Sequence, residues 1–533
     1  MKKLFFPLIL TVLLVLAINH GGFAQHPSSN QEIQKIIAAM QIIELAYVDS
    51  VNMDEVVSGA IVESLKELDP HSAYLSKEEV KKANEPLEGS FEGIGVTFQI
   101  YKDTILVISP VPGGPSEKLG ILSGDKIVII NGEDATGDKI TNEWVMERLR
   151  GKKGSVVDVS IYRNGKKDLL DFSITRDKIP LNSIDASFMA TGNIGYIRLN
   201  RFSKTSVDEF KESVANLRFQ GMTELILDLR GNSGGYLNIA VDLADEFLTS
   251  GKLIVYTEGL NSPKQDFYST SIGSFEEGRL VIIIDEASAS ASEIVAGAVQ
   301  DWDRGLVIGR RSFGKGLVQR PFNLPDGSVI RLTTARYYTP TGRCIQRPYE
   351  NGSEEYYEDL AKRYEHGEFV YADSIKFPDS LKYETPRGRI VYGGGGIMPD
   401  VFIPWDSTMF SDYWVELRRK GVLNTYTLQY VDKHRADLIA DYPDSWKFNK
   451  DFTVSGPVIE EFKALAEKEG VKFDEEGWKT SEQLILTQIK ALIARNLWDI
   501  NAFYEVISVI DDEYGRAVSI LEDEHEFRKL KIG

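Results

Sequence analysis

The stretch Leu280-Val281-Ile282-Ile283-Ile284-Asp285-Glu286-Ala287-Ser288-Ala289-Ser290-Ala291-Ser292-Glu293-Ile294 decides the fold. Its first part is a continuous apolar run, the pattern of a strand buried on both faces of an α/β sheet. The small residues 287–292 suit a tight turn, and Glu293 onward reads as helix. A serine there stands at a helix N-terminus, where unpaired backbone N–H groups and the dipole favour developing negative charge. Alone, such a turn reads as an ordinary helix cap.

Two further segments shift that balance. Phe313-Gly314-Lys315-Gly316-Leu317-Val318-Gln319 supplies a lysine on what reads as a nearby strand. A serine hydroxyl is a weak nucleophile that needs a base beside it. Lys315 would be that base, an arrangement found on several folds. Side chains alternate along a strand, so Phe313, Lys315, Leu317 and Gln319 would share one face, with Gln319 holding the lysine amine. To act as base Lys315 must be neutral, which requires burial among apolar groups. The other segment, Leu225-Ile226-Leu227-Asp228-Leu229-Arg230-Gly231-Asn232-Ser233-Gly234-Gly235, is a second buried strand ending in a Gly-rich turn before a helix at 240–248. Glycine lets backbone N–H groups approach a substrate closely. A donor from this turn would join the N–H of Ala291 in stabilising an oxyanion.

Upstream, Phe91-Glu92-Gly93-Ile94-Gly95-Val96-Thr97-Phe98 is a Gly-x-Gly turn entering an apolar strand. Alone it reads as a hairpin. Its successive N–H groups suit capture of a terminal carboxylate while a peptide adds a strand to the sheet. Next come Ile105-Leu106-Val107-Ile108, the short helical segment Pro115-Ser116-Glu117-Lys118-Leu119-Gly120-Ile121, and Gly124-Asp125-Lys126-Ile127-Val128-Ile129-Ile130-Asn131-Gly132. That order resembles the PDZ domains of bacterial proteases, with Leu119 where a smaller residue is usual.

Nearly the whole chain resembles the C-terminal processing peptidases, tail-specific serine proteases with a PDZ domain. The matching pieces are Leu68-Asp69-Pro70-His71-Ser72-Ala73-Tyr74-Leu75, the PDZ-like segment, the turn at 228–235, the Ser-rich run, Gly314-Lys315-Gly316, and Tyr337-Tyr338-Thr339-Pro340-Thr341-Gly342-Arg343. The resemblance implies that the middle serine, Ser290, is the nucleophile, Lys315 the general base and Gln319 its orienter. It implies oxyanion donors at Ala291 and at Gly234 or Gly235, and tail binding at Gly93, Ile94, Gly95 and Val96. The expected substrates are proteins or peptides with free, apolar C-termini, and no cofactor or metal is expected. Asp285-Glu286 departs from the family, where an Asn-containing version is usual.

The expected architecture is multidomain α/β. Its pieces are a signal peptide (1–24), an N-terminal helical region (25–85), a PDZ domain (86–180), an α/β serine protease core of the tail-specific type (181–404) and a C-terminal helical region (405–533). Ser29 and Glu32 have capping-box spacing, which predicts a helix start there. Residues 350–390, charged and aromatic with weak periodicity, read as an insertion. Ile485, Ile489, Leu492 and Ile493 form a helical apolar stripe. Such stripes are usually core, and the resemblance also permits a homo-oligomer or an adaptor protein.

The 533 residues carry 61 basic and 80 acidic side chains, a net charge of −19. That charge argues against nucleic acid as partner. Lys2 and Lys3, an apolar run at 4–17 and the small-residue site Gly22-Phe23-Ala24 before Gln25 read as an export signal. An uncleaved segment would leave the protein membrane-associated. Cys344 is the only cysteine, so no internal disulfide forms, and a bacterial periplasm is the expected compartment.

Other chemistries fit less well. Gly309-Arg310-Arg311-Ser312-Phe313-Gly314-Lys315 approaches a phosphate-binding loop but has Gly316 where Ser or Thr should bind the metal. No histidine stands in a triad context, and there is no Gly-x-Ser-x-Gly elbow. No His, Asp and Glu cluster has metal-ligand spacing. A catalytically silent PDZ scaffold that binds protein C-termini is the alternative, because fold does not fix function. The intact Ser290, Lys315 and Gln319 set argues against it.

Overall fold

The structure, a computed structural model, describes residues 27–533 except 271, 272, 524, 531 and 533. The expected signal peptide at 1–24 lies outside the described residues. The chain divides into two compact units after Tyr74.

The first unit holds helices α1 (Pro27–Ala46) and α2 (Met53–Lys66). Helix α1 contains Ser29 and Glu32. In the turn beyond α2, the Asp69 carboxylate accepts the N–H groups of His71 and Ser72 and the Ser72 hydroxyl.

The second unit opens with α3 (Lys77–Glu88). Ser76 and Glu79 close a capping box at its start, and Gly89 ends it at a φ of 68°. An antiparallel sheet follows in the order β1 (Val96–Tyr101), β2 (Thr104–Pro110), β3 (Lys126–Ile130), then past helix α4 (Asn142–Leu149) to β4 (Val156–Tyr162) and β5 (Leu170–Thr175). Ile105, Val107, Ile127, Val145, Val159 and Ile174 fill its core.

The α/β core begins with β6 (Ile184–Thr191), β7 (Ile194–Leu199), α5 (Ser206–Phe219), β8 (Glu224–Asp228) and α6 (Leu237–Asp245). It continues with β9 (Leu253–Gly259), β10 (Ser262–Tyr268), β11 (Leu280–Ile284), α7 (Ala291–Asp301) and β12 (Leu306–Gly309). The remaining elements are β13 (Leu317–Asn323), β14 (Val329–Tyr338), α8 (Ser353–Glu365) and β15 (Val401–Phe402). One sheet runs β6-β7-β8-β11-β12-β15, with only the β6-β7 pair antiparallel. Alternation along its strands sends Leu225, Leu227, Leu280 and Ile282 to the face covered by α5, α6 and α7. Ile226, Val281 and Ile283 face the other way. Both faces need cover, which is why these strands are apolar throughout. A second, antiparallel sheet joins β13-β14-β9-β10.

Residues 350–390 are more ordered than their weak periodicity suggests. Helix α8 anchors them, because the Arg363 guanidinium donates to the carbonyls of Arg311 and Ser312 and pairs with Glu368. The C-terminal region is helical and divides between two cores. Helices α9 (Asp412–Arg419), α10 (Val422–Asp441), α11 (Ser445–Asp451), α12 (Gly456–Lys468), α13 (Glu475–Leu497) and α14 (Ile500–Ile507) share a core of their own. Ile485, Ile489, Leu492 and Ile493 lie within it. Helices α15 (Asp512–Asp523) and α16 (His525–Lys529) return instead to the large sheet, covering its second face with Ala517, Ile520, Leu521 and Phe527. Helix α10 also docks on the β1-β5 sheet. Leu428 packs on Leu106 and Ile108, and Gln429 Nε2 donates to Tyr101 Oη at 3.0 Å.

Candidate active site

The loops at the carboxyl ends of parallel strands β8, β11 and β12 meet in one place, where open α/β sheets usually carry their sites. The β11 loop turns sharply into α7. Ser290 sits at that turn with φ 54° and ψ −108°, backbone that a non-glycine residue adopts only under constraint. Neighbouring serines are committed elsewhere. Ser288 Oγ donates to the Leu229 carbonyl and Ser292 Oγ to the Asn232 carbonyl, and both residues are buried. Ser290, between them, is half-buried.

The Asp285-Glu286 pair has a structural job. Asp285 accepts the N–H groups of Gly231, Ala287 and Ser288. Burial pushes its carboxyl up, and the Gly231 N–H pulls the other way. Glu286 pairs with Arg310. An acidic residue here therefore ties the β8 and β11 loops together.

Lys315 is half-buried in the loop before β13, not on a strand. The alternation expected for Phe313, Lys315, Leu317 and Gln319 therefore does not operate. Gly314 stands at φ 89°, and a Cβ on Gly316 would come within 2.8 Å of the Gln346 nitrogen. The backbone donors here go to side chains instead of a neighbouring strand. Gly314 and Lys315 donate to Glu293, and Gly316 donates to Gln346 Oε1. Gln319 lies beyond an irregularity in the β13-β14 register, and its Nε2 donates to Thr333 Oγ1 at 3.3 Å. Because β12 ends at Gly309 and β13 opens at Leu317 with no helix between, the phosphate-loop geometry is absent.

Two residues not singled out from sequence join the serine and lysine loops. Glu293, 1% exposed, accepts four hydrogen bonds. Its Oε2 takes the Ser290 N–H at 2.7 Å and the Lys315 N–H at 2.9 Å. Its Oε1 takes the Gly314 N–H at 2.7 Å and the Ser312 hydroxyl at 2.6 Å. Burial pushes this carboxyl up to about 7, against the pull of its donors. Tyr337 is the other link. Its buried hydroxyl lies 3.1 Å from the Ser290 carbonyl and 2.7 Å from the Lys315 carbonyl. The Ser-x-x-Glu spacing of 290–293 was the available signal for Glu293, since it is the spacing of a capping box. Nothing in the sequence connects it to Lys315.

The Gly-rich turn closes on Ser290. A Cβ on Gly234, at φ 105°, would lie 3.0 Å from both Ser290 Cβ and the Ala291 nitrogen. Asn232 stitches the turns together. Its carbonyl accepts the Ala289 N–H and the Ser292 hydroxyl, and its Oδ1 accepts the Gly234 N–H at 2.9 Å. At the base of this turn, burial pushes the Asp228 carboxyl up, but Arg230 and Arg198 together outweigh it and hold the acid well below its ordinary range.

The PDZ-like loop forms a separate groove. Gly95, at φ 74°, turns the chain into β1, and Ile94 O accepts from the Ser116 N–H and hydroxyl. Phe91, Ile94, Val96, Phe98, Met146 and Leu149 line a cleft of ~80 Å³. Arg150 at its rim lies over Phe91 and pairs with Glu85 of α3. Three residues on, Glu88 pairs with Lys204 and accepts from the Tyr236 hydroxyl, next to the Gly234-Gly235 turn.

Comparison with known proteins gives this geometry a family. The model of peptidase family S41 matches residues 193–352 and that of a PDZ domain residues 93–174. The N-terminal domain model of the activating protease CtpB matches residues 18–79, and a family of unknown function matches 413–499. The chain is 36% identical over 321 residues to the carboxy-terminal processing protease CtpB of Bacillus subtilis (strain 168), covering 60% of this chain and 66% of that protein. It is 33% identical over 341 residues to a probable CtpA-like serine protease of Staphylococcus aureus (strain N315), covering 63% and 67% respectively. A solved photosystem II D1 C-terminal processing protease shares 27% identity over 58% of this chain and 89% of its own, with a TM-score of 0.34. The chain thus spans about two thirds of the length of these curated relatives. On the strength of the family models and the curated relatives, the chain belongs to peptidase family S41, among the C-terminal processing serine proteases.

Proposed function

We propose that this chain is an exported endopeptidase that captures the apolar C-terminal tail of a protein in its PDZ groove and cleaves by a Ser290-Lys315 dyad. The observation that carries the proposal is the double tie between the two residues. One carboxylate, Glu293, accepts both N–H groups, and one hydroxyl, Tyr337, reaches both carbonyls.

The tail carboxylate accepts N–H groups of the Gly93-Ile94-Gly95-Val96 loop, the peptide adds a strand beside β1, and the apolar cleft takes a small terminal side chain. At the dyad, neutral Lys315 removes the Ser290 hydroxyl proton as Oγ attacks the scissile carbonyl carbon. The resulting oxyanion accepts the Ala291 N–H at the start of α7 and an N–H of the Gly-rich turn. Gly234 already donates to Asn232, which favours Gly235 as that second donor. Collapse expels the amine, which takes the proton from Lys315, and leaves an ester on Ser290. Lys315 then deprotonates a water that hydrolyses the ester, and the proton returns to Ser290. Gln319 is the orienter on the family resemblance alone, since its amide donates to Thr333. Helix α3 offers a physical route from tail groove to oxyanion turn, through Arg150-Glu85 and Glu88-Lys204.

Denatured reporters with and without an apolar C-terminal tail test the tail reading. The intact protein should cleave the tailed reporter at least tenfold faster, and deleting residues 89–177 should erase that preference. Equal, undiminished rates on both reporters after the deletion would sink the tail-capture reading. Export is tested by the mature N-terminus, which should begin at Gln25 in protein recovered from the periplasm. Recovery of an intact residue 1 from the cytoplasm would reject it.

A further inference from the structure

We propose that the C-terminal helix α15 is a working part of the protease site, in which the carboxylates of Asp511 and Glu513 position the oxyanion turn through Arg230. The inference rests on the Ser290 reading above. The family model matched in the C-terminal region ends at residue 499, before this segment.

Arg230 immediately precedes the Gly-rich turn, so its placement sets where that turn begins. Its side chain is 12% exposed, and its guanidinium is held on two sides. On one side Asp228, at the end of β8, accepts from Nη2 at 2.6 Å and also takes the Arg230 N–H at 2.9 Å. On the other, Asp511 is bidentate, at 2.9 Å from Nη1 and 2.7 Å from Nη2. Glu513 adds a third contact at 3.2 Å to Nη1. A forked guanidinium gripped this way has little rotational freedom.

Glu513 reaches further. Its other oxygen accepts from Arg310 Nη1, in the loop that leaves β12 toward Lys315. Arg310 Nε in turn donates to Glu286 at 2.8 Å, in the loop that leads from β11 to Ser290. The start of α15 therefore grips all three active-site loops. The helix itself is fixed, because Asp511 Oδ1 also caps the Tyr514 N–H and Ile520 and Leu521 are buried against the large sheet. A rigid helix with one acid capping its start and one in its first turn can hold loop positions that the flexible glycines of the turn cannot hold alone. Small misplacement of an oxyanion donor is costly, which makes such external bracing worthwhile.

Asp511→Asn with Glu513→Gln removes both charges while keeping volume, and Asn still caps a helix start. The full-length double variant is compared with wild type and Ser290→Ala on the tailed reporter, with tail-peptide affinity and Tm measured alongside. The expected result is a kcat lowered about tenfold to a hundredfold at unchanged KM and unchanged tail affinity. A lowered Tm with wild-type kcat would make the acids merely structural and overturn the proposal. Parallel loss of kcat and tail affinity would overturn it too. The single Glu513→Gln retains the bidentate Asp511 contact and decides the matter by the same split if the double change prevents folding. If Ser290→Ala itself still cleaves, the Ser290 reading fails first and this inference with it. If Ser290→Ala is dead while the double variant turns over normally, only the inference fails.

Discussion

Ser290→Ala and Lys315→Ala should each lower turnover of the tailed reporter by about 10⁴-fold or more, with the folded state and tail affinity kept. The size follows from the roles. On the proposed roles, removing Oγ removes the atom that forms the acyl-enzyme, and removing the amine removes the base. Ser288 and Ser292 cannot substitute, since their hydroxyls are already donated to the Leu229 and Asn232 carbonyls. Lys315→Arg should be nearly as inactive as Lys315→Ala, because a guanidinium stays protonated and cannot serve as base. Residues that act as a unit are non-additive, so the Ser290→Ala/Lys315→Ala double variant should be no slower than either single change. The check is single-turnover cleavage with purified full-length variants. A Lys315→Ala enzyme within tenfold of wild type would remove lysine from the mechanism. Multiplying losses in the double variant would show that the two act separately.

What the sequence could and could not show follows from where each constraint acts. Strands β8 and β11 were legible because a parallel strand is buried on both faces and must be apolar along its length, as Leu225-Ile226-Leu227 and Leu280 to Ile284 are. The Ser290 turn was legible through its small residues. Lys315 was placed wrongly on a strand because an alternating apolar pattern says nothing about where backbone donors go. Here they go to Glu293 and Gln346, residues distant in sequence. Glu293 looked like an ordinary helix-start acid because half its work, receiving Ser290, is local, and the other half exists only once the loops meet. The tail read as one helical region since amphipathic periodicity marks a buried face without naming the surface that buries it. Helices α13 and α15 carry similar stripes, yet one closes a core of its own and the other covers the large sheet.

Glu293→Gln should cost about a hundredfold in kcat and should also change how stability depends on pH. The present carboxylate meets four donors with four lone-pair directions. A glutamine keeps one oxygen and turns an NH₂ group toward the other two donors. Those donors include either the Ser290 and Lys315 N–H groups or the Gly314 N–H and Ser312 hydroxyl. Each buried donor left unpaired costs roughly 1–3 kcal/mol, and the loops would move to avoid that cost. The pH effect has a definite sign. Burial raises the folded-state carboxyl from 4.5 to about 7, so folding takes up a proton between those values. The stability contributed by this group is therefore fullest below 4.5 and falls as pH rises through about 7. Turnover runs the other way, since only the ionised form accepts all four donors, and wild-type kcat should rise across the same interval. Glutamine does not titrate, so the variant should lose the downward slope of Tm between pH 5 and 7.5. Measuring Tm and kcat against pH for both proteins tests this directly. Parallel Tm curves for wild type and variant would show that Glu293 stays ionised throughout and that its four donors outweigh its burial.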